Sequence, residues 1–297
     1  MIRYIEQDAV DCDKWDACIG ADPLGHFYAY HWYLDMVAPR WDALVYGDYE
    51  WVMPLVYGNK YRIIPYLYRP FGVQQLGVFG AQTITESLVE EFLKAIPKKF
   101  VHIDIYLNTH NPLPERGDVS WRRTYELSLN QSYESIYSGY NSQRIKDLKK
   151  AEKAGLTIME NDSPDVLVRM FQSTIGPAKT NFSTGHYDKM KQIMYALIYR
   201  KMGQVVSIYD AQNALCAAGF VVSTRNRSVF LFSAQDDFGR KHGAMTKLLD
   251  HYLLYGSMRG GVFDFEGSDL PGLEGFYKSF GSELKTYPRI FRRLRFL

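Results

Sequence analysis

One stretch decides the fold of this chain: Ser228–Gly281, which reads SVFLFSAQDDFGRKHGAMTKLLDHYLLYGSMRGGVFDFEGSDLPGLEGFYKSFG. It opens with Val229–Phe232, an apolar run with the length and composition of a buried strand. A polar loop, 235–242, comes next, and from Met245 onward apolar residues recur at the i, i+3, i+4, i+7 and i+8 spacing of an amphipathic helix. A glycine pair ends that helix before the apolar strand Val262–Phe265. The stretch therefore predicts an α/β unit of strand, basic loop, helix and strand.

The basic loop is the first candidate binding site. A helix that starts in such a loop directs its free N–H groups and the positive end of its dipole toward a neighbouring cleft, which favours an anion. Arg240, Lys241 and His242 precede Gly243 and Ala244 at this point. We predict that these five residues bind an anionic group, and the charges of an ordinary surface loop are the less favoured alternative.

Composition indicates a folded chain with few extreme features. Its 297 residues carry a formal net charge of +2, too small to indicate nucleic-acid binding from composition alone. Cys12, Cys18 and Cys216 have neither metal-ligand nor disulfide-framework spacing, which predicts a reducing cytoplasm and no metal site. No signal-peptide pattern or membrane-length apolar run is present, so we expect a cytoplasmic protein without a membrane span.

The predicted elements occur in the same order twice. Each half shows a strand, two helices, a three-strand meander, a loop, a helix and a strand. In the first meander, Gly47-Asp48 and Gly58-Asn59 have the composition of hairpin turns. The repetition predicts an α/β (α+β) chain of two tandem domains, 1–131 and 155–297, joined by a helical linker, 132–154. One irregular α+β domain is the alternative.

Three short motifs resemble those of a known family. Gln143–Gly155 has an arginine, a lysine-rich helix, then alanine and glycine; Phe263–Ser268 has an aromatic-Asp-Phe-x-Gly pattern; and Phe276–Gly281 resembles a closing Phe-Lys-x-x-Phe-Gly. With the duplicated element order, these motifs resemble the Fem-type (FemABX) peptidyltransferases, which carry two domains of the GNAT acyltransferase fold. The chain lacks the long coiled-coil insertion of some Fem-type members.

The resemblance implies an N-acyltransferase with a sequential mechanism and no tightly bound cofactor. The donor would be either an aminoacyl-tRNA, with a peptidoglycan-precursor acceptor, or an acyl-CoA, with another acceptor amine. The family's lysine implicated in acyl transfer corresponds to Lys278, displaced by one position because Tyr277 stands in its place. The resemblance also implies that Arg240–Ala244 bind the donor, although Met245 stands where a small residue is usual in the GNAT phosphate signature. A non-catalytic binding module for RNA or a nucleotide sugar is a further alternative.

Charged residues near the motifs supply the other candidates in the second half. Asp264 and Glu266 end a strand, where they could orient an amine or accept its proton, or cap the next helix. Arg144 precedes a helical stripe of lysines that could bind phosphates or form a solvated face; its members are Lys146, Lys149, Lys150 and Lys153.

In the first half, the loop equivalent to the basic loop holds Tyr68, Arg69, Gln74 and Gln75. These side chains suit hydrogen bonds to a polar acceptor substrate, or they could connect the two domains. The C-terminal segment alternates arginines with apolar residues, which is typical of a last strand with a charged face and could extend a basic surface. These arginines are Arg289, Arg292, Arg293 and Arg295.

Overall fold

The computed structural model describes residues 1–60, 63–174, 182–267 and 272–293. The chain forms two compact units, Met1–Arg123 with Lys285–Leu297, and Thr124–Leu284. Two strands cross the boundaries between them, β7 (Val119–Ser128) and β13 (Glu283–Arg293). We refer to the units as unit 1 and unit 2.

Unit 1 is a mixed sheet with three α-helices among its described residues. Its elements are β1 (Ile2–Ile5), α1 (Cys12–Ala21), α2 (His31–Val37), β2 (Trp41–Tyr46), β3 (Trp51–Lys60), β4 (Ile64–Leu67), β5 (Phe79–Gly80), α3 (Glu86–Ala95) and β6 (His102–Tyr106), with short 3-10 turns at Gln7–Ala9 and Phe27–Ala29. The strand order is β1-β2-β3-β4-β6-β13, and β5 pairs with β3. Only β4 and β6 pair in parallel among these strands. The core packs α3 on the sheet.

Unit 2 repeats that plan. Its elements after β7 are α4 (Tyr133–Ser138), α5 (Ser142–Lys153), β8 (Thr157–Glu160), α6 (Pro164–Thr174), α7 (Thr184–Tyr199), β9 (Gly203–Tyr209), β10 (Leu215–Ser223), β11 (Arg227–Gln235), α8 (Asp237–His242), α9 (Ala244–Arg259), β12 (Val262–Asp264) and α10 (Leu273–Lys278). The strand order is β8-β9-β10-β11-β12-β7, and β11 and β12 are the parallel pair. The predicted duplication of an α/β plan is confirmed.

The amphipathic helix of the deciding stretch is α9, and its predicted stripe is buried. Leu248, Leu249 and Leu253 are fully enclosed, and Met245 and Tyr252 are nearly so. They pack with Phe263 of β12 and Phe230 of β11 in the core of unit 2. At roughly 1.5–3 kcal/mol per fully buried large apolar side chain, this stripe fixes α9 on the sheet.

Two local predictions need correction. Residues 237–242 of the predicted polar loop form the helix α8, because the Asp236 side chain accepts a hydrogen bond from the Gly239 N–H (2.6 Å) and caps it. Gly58 and Asn59 lie within β3, paired with Tyr66 and Pro65, rather than in a turn.

Residues 132–154, which the sequence predicted to be a linker between the domains, are helical in the structure. They contain α4 and α5, and both helices belong to unit 2 in the division given above. The last strand, β13, contributes its residues from Lys285 onward to unit 1. In the described parts of the chain, no helix combines the length and the apolar character needed to cross a bilayer.

Candidate functional site

Asp264 lies at the end of β12 and is fully buried. Its carboxylate accepts hydrogen bonds from Thr124 Oγ1 (2.7 Å), the Glu266 N–H (3.0 Å) and Arg227 Nη1 (2.8 Å). Burial raises the pKa of Asp264, while the Arg227 guanidinium opposes that rise. Through these bonds Asp264 joins β7, β11 and β12, and its predicted role of orienting an amine or accepting its proton stays a prediction.

Glu266 lies two residues beyond Asp264 and is half-buried. Its backbone is left-handed, with φ 50°, a conformation that costs a non-glycine residue roughly 1 kcal/mol or more. The hydrogen bond from its N–H to Asp264 holds this conformation. The predicted carboxylate therefore stands at a constrained strand end, and its catalytic role stays a prediction.

Arg144 of α5, predicted to bind substrate, is buried between its own helix, α9 and α10. Its guanidinium bonds Asp147 Oδ2 (2.8 Å) and Thr246 Oγ1 (2.9 Å), and its Cζ lies 4.5 Å from the centre of the Phe276 ring. Burial lowers the pKa of Arg144, and Asp147 partly offsets this effect. The side chain connects α5, α9 and α10, and the substrate contact expected of Arg144 stays a prediction.

The family-like motifs meet at this packing site. Phe280 contacts Tyr140 edge-on with ring centres 5.2 Å apart, and Asn141 donates its N–H to the Ser279 carbonyl (2.9 Å). A Cβ atom on Gly281 would lie 3.2 Å from the Gly139 carbonyl oxygen. These contacts join the third motif to the residues just before the first motif, and the Arg144 contact with Phe276 joins the first motif itself to the third.

The α8–α9 turn carries the predicted donor-binding residues, Arg240 to Ala244. Gly243 has φ +77°, and a Cβ atom there would lie 2.4 Å from the Asp147 carbonyl oxygen of α5. Ala244 is fully buried, and Thr246 in the first turn of α9 bonds Arg144. Protein atoms from α5 therefore pack against the first turn of α9, where the sequence predicted an open cleft.

The exposed cations around this contact remain available to solvent. Arg240 and Lys241 end α8, and Lys146 and Lys149 lie on the solvent side of α5. Arg240 forms a long ion pair with Asp237, at 4.0 Å. Lys150 is also exposed and lies 3.1 Å from Asp147. We call these residues the basic surface of unit 2: Lys146, Lys149, Lys150, Arg240 and Lys241.

His242 and Lys278, two further predicted site residues, differ in exposure: His242 is partly buried and Lys278 is exposed. The His242 ring lies 4.1 Å from the Phe238 ring, and its Nδ1 is 2.9 Å from the Phe238 carbonyl oxygen. Lys278 is exposed at the end of α10, directly after the buried Tyr277, whose pKa is raised by burial. The predicted catalytic Lys278 is therefore solvent-accessible, as a reacting lysine would need to be.

Unit 1 has a cluster of cations around one tyrosine ring. The Arg69 guanidinium lies 4.3 Å from the centre of the Tyr106 ring, Arg289 lies 5.3 Å from it, and Arg122 lies 5.9 Å from it. Arg289 is also held by Asp104 through two bonds of 2.6 and 2.7 Å. We call Arg69, Arg122, Arg289 and Tyr106 the arginine cluster. Its three guanidinium groups outnumber the one carboxylate beside them, that of Asp104, so the cluster suits a phosphate or carboxylate group of a ligand.

The loop that carries Arg69 brings Tyr68 to the same place. Tyr68, Arg69 and Tyr106 line one narrow cavity in unit 1. The glutamines of this loop are buried: Gln75 donates to Gln74 Oε1 (2.6 Å) and accepts from the Thr109 N–H (3.1 Å). These hydrogen bonds hold the loop within unit 1, and the predicted substrate contacts of Gln74 and Gln75 stay predictions.

Sequence reasoning missed Tyr106 and Arg122 as members of this cluster. Tyr106 ends β6, which pairs with β13, and that pairing places Arg289 opposite Tyr106. The signal available in the sequence was the alternation of arginines in the C-terminal segment. Of these, Arg292 bonds Asp118 (2.6 Å), and Arg295 lies outside the described residues.

Comparisons with known proteins identify the fold. No protein-family model matches the sequence, and no curated protein matches it either. Among solved structures, FemX superposes with a TM-score of 0.66 at 11% identity, over 97% of each chain. The fold is the Fem-type tandem GNAT-like fold.

Two further tandem GNAT-like relatives match at similar extent. A tandem GNAT protein from the clavulanic acid biosynthesis pathway gives a TM-score of 0.52 at 11% identity, covering 98% of this chain and 97% of its own. L-PGS from Bacillus licheniformis gives 0.53 at 13% identity, covering 97% and 93%. At these identities the likeness establishes the fold of this chain.

Proposed function

We propose that this protein is an N-acyltransferase that moves an activated acyl or aminoacyl group onto an acceptor amine. The observation that carries the proposal is the tandem GNAT-like fold, which this chain has in common with FemX and with a tandem GNAT protein described without AcCoA. In the reaction, the amine nitrogen attacks the donor carbonyl, a C–N bond forms, and the C–O or C–S bond to the carrier breaks. The amine loses a proton, and the carrier leaves with one.

The donor that we favour is an aminoacyl-tRNA. In support, α5 packs against the first turn of α9 at Gly243 and Thr246, where a nucleotide pyrophosphate would otherwise approach the backbone. The basic surface of unit 2 supplies exposed cations for an RNA backbone instead. Lys278 would stabilise the oxyanion that develops on the carbonyl oxygen, and Glu266 would accept the proton of the amine.

The acceptor that we favour is an amine on a molecule that also carries phosphate or carboxylate, such as a peptidoglycan precursor. Arg69, with Tyr68 and Tyr106 beside it, would bind that anionic group in unit 1. Arg69 is exposed, so a substrate can reach its guanidinium without rearrangement of the core. Bidentate contacts from guanidinium groups are the strong contacts that such anions make.

The activity test combines aminoacyl-tRNA with candidate acceptor amines and detects the acylated product by mass spectrometry. We expect the Lys149→Glu/Lys150→Glu variant to bind tRNA more weakly and with a flatter dependence on salt, because fewer counterions are released. Lys94→Glu/Lys98→Glu, two exposed lysines of unit 1, is the charge-matched control. Equal tRNA affinity of the two double variants would exclude the basic surface as the RNA site.

An acyl-CoA donor is the second candidate, because the tandem GNAT relative is described with reference to AcCoA. In that case calorimetry at millimolar CoA shows heat of binding, and Arg240→Gln/Lys241→Gln reduces it. Absence of heat excludes CoA. If neither donor supports acyl transfer to any amine tested, the remaining alternative is a binding module for RNA or a nucleotide sugar.

A further inference from the structure

Unit 2 contains a cavity of about 260 Å³ that the proposed acyl transfer does not use. Its wall comes from the ends of β8, β10 and α9 and from the beginnings of β9 and β11. The α9 residues that line it begin with His251, in the middle of the helix, and end with Arg259 at its last position. His251, the lining residue of α9 nearest to the turn, lies seven residues after Ala244, which corresponds to roughly 10 Å along the helix. The cavity is therefore separate from the α8–α9 turn and its cations.

The charged groups of this cavity leave one positive charge in excess. Lys201 and Arg259 are cationic and exposed at its wall. Glu160 supplies one negative charge, and its Oε1 lies 2.9 Å from His251 Nε2. Burial lowers the pKa of His251, and Glu160 partly offsets this effect. One anionic group on a ligand would neutralise this excess positive charge.

The backbone of Lys201 supports a role for this side chain. Lys201 follows the end of α7 with φ 59°, a position at which glycine is usual because a Cβ is disfavoured there. The hydrogen bond from its N–H to the Ile198 carbonyl (2.8 Å) holds this conformation. A lysine at such a position costs stability, and strain of this kind is concentrated at binding sites.

The remaining wall suits a flat ring. Tyr252 and Phe263 form its buried side, and Tyr255 stands at the exposed side with its ring 4.7 Å from that of His251. Ser223 and Ser228 contribute hydroxyl groups, whose oxygens lie 3.0 Å apart. The volume is slightly below the usual range for ligand pockets, so a molecule with one ring fits its size.

We propose that this cavity binds a small aromatic monocarboxylate, with the carboxylate between Lys201 and Arg259 and the ring against Tyr252 and Tyr255. Neither cation belongs to the residues proposed to bind donor or acceptor. The site is therefore independent of the acyl-transfer proposal, and a binding measurement tests it without any enzyme assay.

The test uses the full chain, 4-hydroxyphenylacetate as the ligand, and calorimetry or ligand-observed NMR in a buffer free of carboxylates. We expect binding at millimolar concentration or below, and binding at least tenfold weaker for 4-hydroxyphenethyl alcohol, which lacks the charge. Lys201→Gln and Arg259→Gln should each weaken binding about tenfold, because each removes a charge-assisted hydrogen bond. Lys94→Gln, an exposed lysine of unit 1, should leave the affinity unchanged.

A second variant separates binding from folding. Lys201→Gly removes the cation and relieves the left-handed backbone, so we expect a higher thermal midpoint together with the same loss of affinity. The proposal is overturned if 4-hydroxyphenylacetate does not bind at millimolar concentration, or if the neutral alcohol binds equally well. Full affinity in the two glutamine variants would overturn it as well.

Discussion

At the level of single residues, burial separates the charges that hold this fold from those that can meet a substrate. Asp264 and Arg227 have little or no exposure and bond each other, whereas Arg69 and Lys278 are exposed. A buried ion pair contributes little net stability, but removing one partner leaves an uncompensated charge. The strand-end aspartate that the sequence offered as a catalyst is such a partner.

We expect Arg227→Met to lower the free energy of unfolding by about 3–5 kcal/mol, because Asp264 and Glu126 lose their shared cation. Burial already raises the pKa of Asp264, so the folded state holds that proton more tightly than the unfolded chain does. Without Arg227 the pKa rises further, and the loss should be smaller at pH 5, where Asp264 takes up a proton, than at pH 8.

Urea denaturation at the two pH values measures this difference. Arg225→Met, two residues earlier and exposed, is the matched control and should change stability by less than about 0.5 kcal/mol. A loss in Arg227→Met below about 1 kcal/mol, or one that grows at low pH, would contradict the assignment.

The cysteines give a second residue-level prediction. Burial raises the pKa of Cys18 to about 12 and that of Cys216 to about 11, and both side chains are enclosed. Because the thiolate is the reactive form, both should resist a thiol reagent at pH 7.5 in the folded protein and react after denaturation. Cys12 is less buried and should react first. Rapid labelling of all three thiols in the native protein would contradict this prediction.

At the level of secondary-structure elements, the contact of α5 with the α8–α9 turn shapes the candidate donor region. A lysine-rich helix reads in sequence as a linker, yet its buried face carries Arg144, Asp147 and Ala151. Through Gly243 and Thr246 this helix packs on α9, while its lysines remain exposed. The helix α5 therefore covers the first turn of α9, where an anion could otherwise bind, and its exposed lysines offer a different surface to an anion.

We expect Gly243→Ala to destabilise the protein more than Gly155→Ala. Both glycines have positive φ, +77° and +65°, so each alanine carries a backbone cost of about 1 kcal/mol. A Cβ at position 243 also meets the Asp147 carbonyl at 2.4 Å, whereas at 155 the nearest atom lies at 3.9 Å.

Chemical denaturation of the two glycine variants isolates the close approach of α5. Gly243→Ala should cost at least about 1 kcal/mol more than Gly155→Ala, because α5 must shift to accommodate the methyl group. Equal costs would show that the packing of α5 on this turn is looser than its geometry indicates.

At the level of the whole molecule, each unit places in sixth position a strand that is not the next one in the chain after its neighbour in the sheet. The sixth strand of unit 2 is β7, which precedes the other strands of that unit, whereas unit 1 takes β13 from the far end of the chain. Ile290 on β13 is fully buried in the core of unit 1. The C-terminal segment therefore completes the first unit.

We expect Ile290→Ala to cost about 2–5 kcal/mol and to speed amide hydrogen exchange in β6 and α3 of unit 1. The core of unit 2 does not contain Ile290, so exchange in β10 and β11 should be unchanged. Leu253→Ala, a fully buried residue of unit 2, is the reciprocal control. Faster exchange in β10 and β11 of the Ile290 variant would contradict this assignment of β13.

The sequence by itself determined the repeated α/β plan, the buried stripe of α9 and the Fem-like motifs, because these follow from hydrophobic period and local order. It also placed Arg69 and Tyr68 in a loop that we predicted to bind a polar acceptor substrate. Which charges are buried depends on pairings between residues far apart in the chain, such as Asp264 with Arg227. Only the tertiary structure decided these pairings, since packing, and not residue type, sets which cations and carboxylates remain in water.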